Sequence, residues 1–179
     1  RMASSAAGSY QSTLSLSCSE ISDDQEISVT GSAEVAKTFF EDFETGFKNT
    51  YPIGFADCTT GRWIFANSLV MDTEPKDLKN GAKSARISPT GSVYMDTDKQ
   101  NGAGTLSLFA GLFGTDAATT IGIYYSSDAG TTWNTVADNV AVSNSLKEYK
   151  YSINISGPIR IKVVNLTASG TKPRVNVDD

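Results

Sequence analysis

Glu148-Tyr149-Lys150-Tyr151-Ser152-Ile153-Asn154-Ile155 alternates without a break. Tyr149, Tyr151, Ile153 and Ile155 take one side; Glu148, Lys150, Ser152 and Asn154 take the other. A period of two marks a strand with one buried face and one wet face. The next run repeats it, with Ile159, Ile161 and Val163 set against Arg160 and Lys162. Ser156-Gly157-Pro158 between them reads as a hairpin turn. Upstream, Ser126-Ser127-Asp128-Ala129-Gly130-Thr131-Thr132-Trp133 joins two more alternating runs. Gly accepts positive φ and Asp bonds its own backbone, so a tight hairpin is expected there. Further strands are expected at Thr13–Ser17, Glu26–Thr30, Trp63–Val70, Ser84–Ile87, Ser92–Asp96, Thr105–Ala110, Thr120–Ser126, Trp133–Ala137 and Arg174–Val177. Many short strands separated by Gly, Asn, Asp and Pro predict an all-β fold, an antiparallel two-sheet sandwich.

The 179 residues suffice for one well-cored domain and a small appendage. Net charge is −5 and no basic block exists, which disfavours a nucleic-acid partner. The chain has no histidine, so Ser-His-Asp and Cys-His catalysis and His-ligated zinc are excluded. Cys18 and Cys58 are about forty residues apart. They form either one disulfide, worth about 3–4 kcal/mol, or two buried thiols. No apolar run approaches the ~20 residues of a membrane span. Arg1 to Gly8 lack the apolar core of a signal peptide and read as a mature start or an expression remnant.

Residues 1–34 are Ser-rich and read as an N-terminal arm or hairpin, with the main domain at 35–179. One segment opposes the β reading. Val35, Phe39, Phe43 and Phe47 recur every four residues, so local spacing alone makes 33–47 an amphipathic helix. The stretches 57–62 and 72–81 are the longest polar connections, where ligand contacts are common.

Three constellations could carry chemistry. Glu41, Asp42 and Glu44 crowd three carboxylates into four residues, and Asp178-Asp179 closes the chain. If the chain ends pair, the two groups meet, and calcium would suit them. The alternative is a solvated acidic turn. Tyr51, Trp63, Tyr94, Tyr124, Tyr125 and Trp133 are candidate sugar platforms, weighed against filling the core. Tyr124 and Tyr125 are adjacent on one strand, so one of them faces out. Tyr51, in a loop, is the favoured exposed ring, with Asp77, Asn80 and Lys83 as polar neighbours; Trp63 suits the core better than a platform, and Trp133 reads as a packing residue of the 126–133 turn. Glycosidase chemistry needs two carboxyls roughly 5–10 Å apart across the bond, and nothing in the sequence selects such a pair. Asn154-Ile155-Ser156 and Asn165-Leu166-Thr167 are formal glycosylation sequons.

Phe39-Phe40-Glu41-Asp42-Phe43-Glu44-Thr45-Gly46 resembles the opening of a jelly-roll module found in secreted and surface proteins of the Bacteroidetes. The likeness continues through Gly61-Arg62-Trp63-Ile64-Phe65, through Asp77 to Ile87, and into Val175-Asn176-Val177-Asp178-Asp179. The 126–133 stretch is similar to the Asp-box hairpin of sialidases, which stabilises a fold and performs no catalysis. The module is similar to carbohydrate-binding, MAM-like and cleaved-adhesin jelly rolls of galactose-binding-like type. For the 39–46 stretch the family resemblance favours a strand over the helix of its local spacing. The resemblance implies a structural calcium held by Glu41, Asp42, Glu44 and Asp178. The sequence departs from the pattern at Ala66-Asn67-Ser68, where an acidic pair is usual, and in stopping at Asp179, which implies a piece of a longer protein.

The expected function is a non-catalytic extracellular module, secreted or on the cell surface, that binds glycan or another cell-surface ligand. Tyr51, Trp63, Asp77, Asn80 and Lys83 are the expected contacts, and further domains the expected neighbours. A protein-adhesion or spacer role is the alternative.

Overall fold

The computed structural model describes residues 8–16, 25–33, 39–170 and 172–179. The chain divides into two compact units, Arg1–Thr38 and Phe39–Asp179. In the first, β1 (Gly8–Leu16) and β2 (Gln25–Ala33) pair antiparallel from Gly8↔Ala33 to Leu16↔Gln25.

The second unit is an antiparallel jelly-roll sandwich with no helix among the described residues. Its strands are β3 (Gly54–Cys58), β4 (Gly61–Val70), β5 (Ala85–Met95), β6 (Ala103–Leu112), β7 (Thr119–Ser126), β8 (Asn134–Val142), β9 (Lys147–Ile155), β10 (Arg160–Asn165) and β11 (Val175–Asp178). The long β4–β5 hairpin serves both layers. Its outer half pairs Trp63↔Met95 to Ala66↔Ser92, and there β5 also pairs β10, which pairs β7, which pairs β8. Its inner half pairs Ser68↔Ile87 to Val70↔Ala85, and there β5 pairs β11, which pairs β6, which pairs β9.

The hairpin bends between these halves. Register shifts between Ala66 and Ser68, and Asn67 and Thr90 both have positive φ. A Cβ on Gly91 would sit 2.4 Å from the Asn67 carbonyl oxygen, so only glycine admits the fold-over. Alternate residues then point inward from both layers. Phe65, Ile87, Val93, Ile121, Ile123, Ile159 and Val175 are fully buried between them.

Three local expectations are corrected. The described part of the helix-like segment, 39–47, forms neither helix nor strand. Phe43 has φ 56°, which no helix accommodates, and the Phe43 amide donates to Glu41 Oε1 (2.9 Å) while the Glu44 amide donates to Asp42 Oδ1 (3.1 Å). Short-range carboxylate capping thus displaces helical bonding there. Ser156-Gly157-Pro158 closes no hairpin, because β9 pairs β6 whereas β10 pairs β5 and β7. The chain crosses between layers at this turn. Residues 57–62 form a tight β3–β4 hairpin, not a long connection, and β3 itself was not anticipated. The expected hairpin at 126–133 joins β7 to β8. Cys58 carries a free thiol, while Cys18 lies outside the described residues.

Candidate ligand-binding face

The outer layer carries a row of side chains that cross-strand register fixes. Phe55 pairs with Ile64, Ile64 with Tyr94, Tyr94 with Lys162, Lys162 with Tyr124, and Tyr124 with Thr135. Directly opposed residues in a sheet share a face. Their sequence neighbours Ala56, Trp63, Phe65, Val93, Met95, Ile161, Val163 and Ile123 are buried in the core. The row therefore faces solvent across six strands.

Trp133 joins this face from the end of the β7–β8 turn, whose geometry aims it. Ser126 Oγ donates to Asp128 Oδ1 (2.6 Å), the Thr132 amide donates to Asp128 Oδ1 (2.9 Å), and Thr132 Oγ1 donates to Asp128 Oδ2 (2.6 Å). Gly130 supplies the positive φ of 86°. The hydroxyls of Ser126 and Thr132, with the Thr132 amide, hold the Asp128 carboxyl down to about 2.

The Trp133 ring meets Tyr94 edge-on, centroids 5.9 Å apart at 73°. Lys162 Nζ lies 5.1 Å from the Trp133 centroid and 5.4 Å from that of Tyr94. Burial lowers the Lys162 ammonium's pKa, and burial, helped by Asp96, raises the Tyr94 phenol's. The Tyr124 ring lies along its own strand, because a Cβ on Gly122 would meet its hydroxyl at 2.5 Å. Its hydroxyl donates to Asp138 Oδ1 (3.3 Å). The result is a half-exposed strip of three rings with polar edges. Tyr94 and Tyr124 stand two strands apart, about 10 Å, close to the length of a disaccharide. Such a strip suits a ligand with apolar C–H faces and a hydroxylated rim.

The residues favoured from sequence do not form this face. Trp63 is only 7% exposed, and its ring packs edge-on against Phe43 at 5.3 Å. It is a core residue, as its alternation suggested, and offers no ring to solvent. Tyr51 is half-buried beside Arg174, which stacks on Phe113 from 3.9 Å. Arg86 covers the same Phe113 ring at 4.7 Å and faces Asp77 at 3.5 Å. Asp77 is buried and accepts from Asn176 Nδ2 (2.7 Å), so it pins the 72–84 loop to β11. The Asn80 amide donates to Asp178 Oδ2 (2.8 Å) and its side chain to Asp179. Lys83 Nζ donates to the carbonyls of Glu44 (2.8 Å) and Gly46 (2.9 Å). Asp77, Asn80 and Lys83 are spent on holding a loop, and no sugar pocket gathers them around Tyr51.

The acidic groups at the chain ends do approach, since the charges of Glu44 and Asp179 both act on Asp178. Their oxygens are largely committed. Glu41 Oε2 accepts from the Thr60 amide (2.8 Å) and hydroxyl (2.6 Å), and Glu44 Oε1 accepts from the amides of Ala82 (2.7 Å) and Lys83 (3.0 Å). Among the described residues, no three or more Cys, Asp or Glu gather as a metal cage. Glu41, Asp42, Glu44 and Asp178 form no such group. A cleft of about 90 Å³ opens between the layers, with Glu41, Asp178 and Asp179 beside Phe43, Trp63 and Leu108. Its walls are core side chains, a poor exchange for the hydration of a sugar.

No family model matches the sequence, and no curated protein matches it. Solved structures do resemble it. The CBM22-1 xylan-binding domain of Paenibacillus barcinonensis Xyn10C is 12% identical with a TM-score of 0.50, covering 79% of this chain and 89% of that one. The module TmCBM61, solved with β-1,4-galactotriose, is 18% identical with a TM-score of 0.45, covering 77% and 90%. The family 29 carbohydrate-binding module CBM29-2 is 16% identical with a TM-score of 0.46, covering 78% and 85%. At these identities the likeness is one of fold, the jelly-roll sandwich of carbohydrate-binding modules.

Proposed function

We propose that residues 39–179 form a non-catalytic glycan-binding module of a larger secreted or surface protein. The binding site is the outer-layer strip of Tyr94, Tyr124 and Trp133, with Lys162 and Asp138 as polar contacts. One observation carries this reading: strand register sets Tyr94, Lys162 and Tyr124 side by side on the solvent face, while their sequence neighbours Val93, Ile161 and Ile123 are buried. The fold shared with a xylan-binding domain supports it. The commitment of both Glu41 oxygens, one to the Phe43 amide and the other to Thr60, supports binding over hydrolysis by that carboxylate, because a general acid or base needs a free oxygen at the substrate. In this reading Lys83 and the loop amides tie the chain ends, and calcium is dispensable.

Affinity electrophoresis against a panel of soluble polysaccharides tests the proposal. Trp133→Ala or Tyr94→Ala should weaken the retarded complex about tenfold or more, as expected for loss of an aromatic anchor worth at least 1.4 kcal/mol. Tyr51→Ala should leave it unchanged. Equal binding by Trp133→Ala, Tyr94→Ala and wild type would place the site elsewhere.

A further inference from the structure

Lys162 stands at the centre of the aromatic strip as a cation that makes no ion pair among the described residues. No described carboxylate lies within salt-bridge distance of its Nζ, which sits over the rings of Tyr94 and Trp133. The acids around it are engaged elsewhere. Arg160 takes Asp96 (3.4 Å) and Asp98, Arg62 takes Asp57 (3.6 Å), the Tyr124 hydroxyl takes Asp138, and the 126–132 turn encloses Asp128. The half-buried Lys162 ammonium therefore makes no direct ion pair among the described residues and lies between the rings of Tyr94 and Trp133. Holding a charge partly out of water is unfavourable unless something compensates it, and two ring faces at 5 Å compensate only part.

We infer that the missing ion-pair partner comes from the ligand: the strip binds a glycan whose sugar residues carry carboxylates, a uronate-bearing polysaccharide. This deepens the glycan-binding reading and rests on it. The geometry favours a uronate because its carboxylate is attached directly to the sugar ring. A ring stacked on Trp133 or Tyr94 then projects that group sideways along the sheet, toward the ammonium on the neighbouring strand. A charge-assisted bond there is shorter and stronger than a neutral one. The net charge of −5 repels a polyanion at long range, so the preference rests on the local contact at Lys162.

Calorimetric titration of the full chain with oligogalacturonate, with the same oligosaccharide as its methyl ester, and with neutral xylo- and galacto-oligosaccharides tests the inference. The acid should bind about tenfold tighter than the ester, one charge-assisted bond's worth. Lys162→Gln should bring acid and ester within about twofold of each other, and Lys162→Arg should keep the preference. Thermal melts of both variants report whether they fold. Equal affinity for acid and ester in the wild type, or an acid preference that survives Lys162→Gln, would overturn the inference. Binding of neutral chains with no acid preference would overturn it while leaving the glycan-binding reading in place. No binding to any of these chains would overturn both.

Discussion

Asp178 sits on β11 only 1% exposed, beside Asp179 and near Glu44. Burial, reinforced by those two charges and opposed by the Asn80 and Asp179 amides, pushes its carboxyl up to about 7. The folded chain then holds a proton that the unfolded chain has already released above its ordinary value of 3.8. The unfolded state binds fewer protons in that window, so stability falls as pH rises from about 4 to about 7. Asp178→Asn removes this titration and keeps an acceptor for the Asn80 amide. Denaturant unfolding at pH 5 and pH 8 should show the variant gaining on wild type by on the order of 2 kcal/mol at the higher pH. A parallel pH dependence in both proteins would mean the carboxyl is already ionised in the fold. That Asp178 meets Glu44 is legible in the sequence through the expected pairing of first and last segments. Its burial is not, because that depends on the 72–84 loop, whose Asn80 amide caps the carboxyl.

At the scale of elements, alternation was enough to find strands but not to pair them. Glu148–Ile155 and Ile159–Val163 each declare a buried face, and both faces are where the period places them. The turn between them signals a change of direction, and chemistry alone does not say whether the next strand returns beside the last or crosses to the other layer. The same gap hid the ligand face. Arg160 and Lys162 were legible as outward residues, and one of Tyr124 and Tyr125 had to face out. That Tyr94, Lys162 and Tyr124 stand side by side depends on β10 lying between β5 and β7. Ser84–Ile87 and Ser92–Asp96 read as two strands but form one bent strand, β5, because Gly91 lets the hairpin fold over both layers. Gly91→Ala tests that bend. The atoms it would strike are backbone oxygens of Ala66, Asn67 and Ser88, which cannot rotate away. Chemical denaturation should show a loss of about 1–3 kcal/mol or more, the range for forcing an extra carbon into a closed site. A loss of a few tenths would mean the bend is soft.

Across the whole molecule, the sandwich must bind its first described loop to its last strand, and the question is what cation does so. The resemblance suggested calcium. The geometry offers Lys83, whose ammonium joins the carbonyls of Glu44 and Gly46 while its own amide and that of Ala82 donate to the Glu44 carboxylate. The same loop passes to Asn80, whose amide holds Asp178 on β11. A single segment thus joins both ends of residues 39–179. Lys83→Met keeps the length of the side chain and removes the charge, leaving two carbonyls short of a donor. Hydrogen bonds from a charged group are worth roughly 1.5–3 kcal/mol, and about 2–4 °C of melting temperature accompanies each kcal/mol in a protein of this size. Lys83→Met should therefore melt about 4–10 °C lower than wild type, whereas EGTA should leave wild type unmoved. If chelation lowers the melting temperature and calcium restores it, a metal holds the ends and Lys83 only assists. If the variant melts with wild type, the ammonium is incidental and the amides of Asn80, Ala82 and Lys83 suffice.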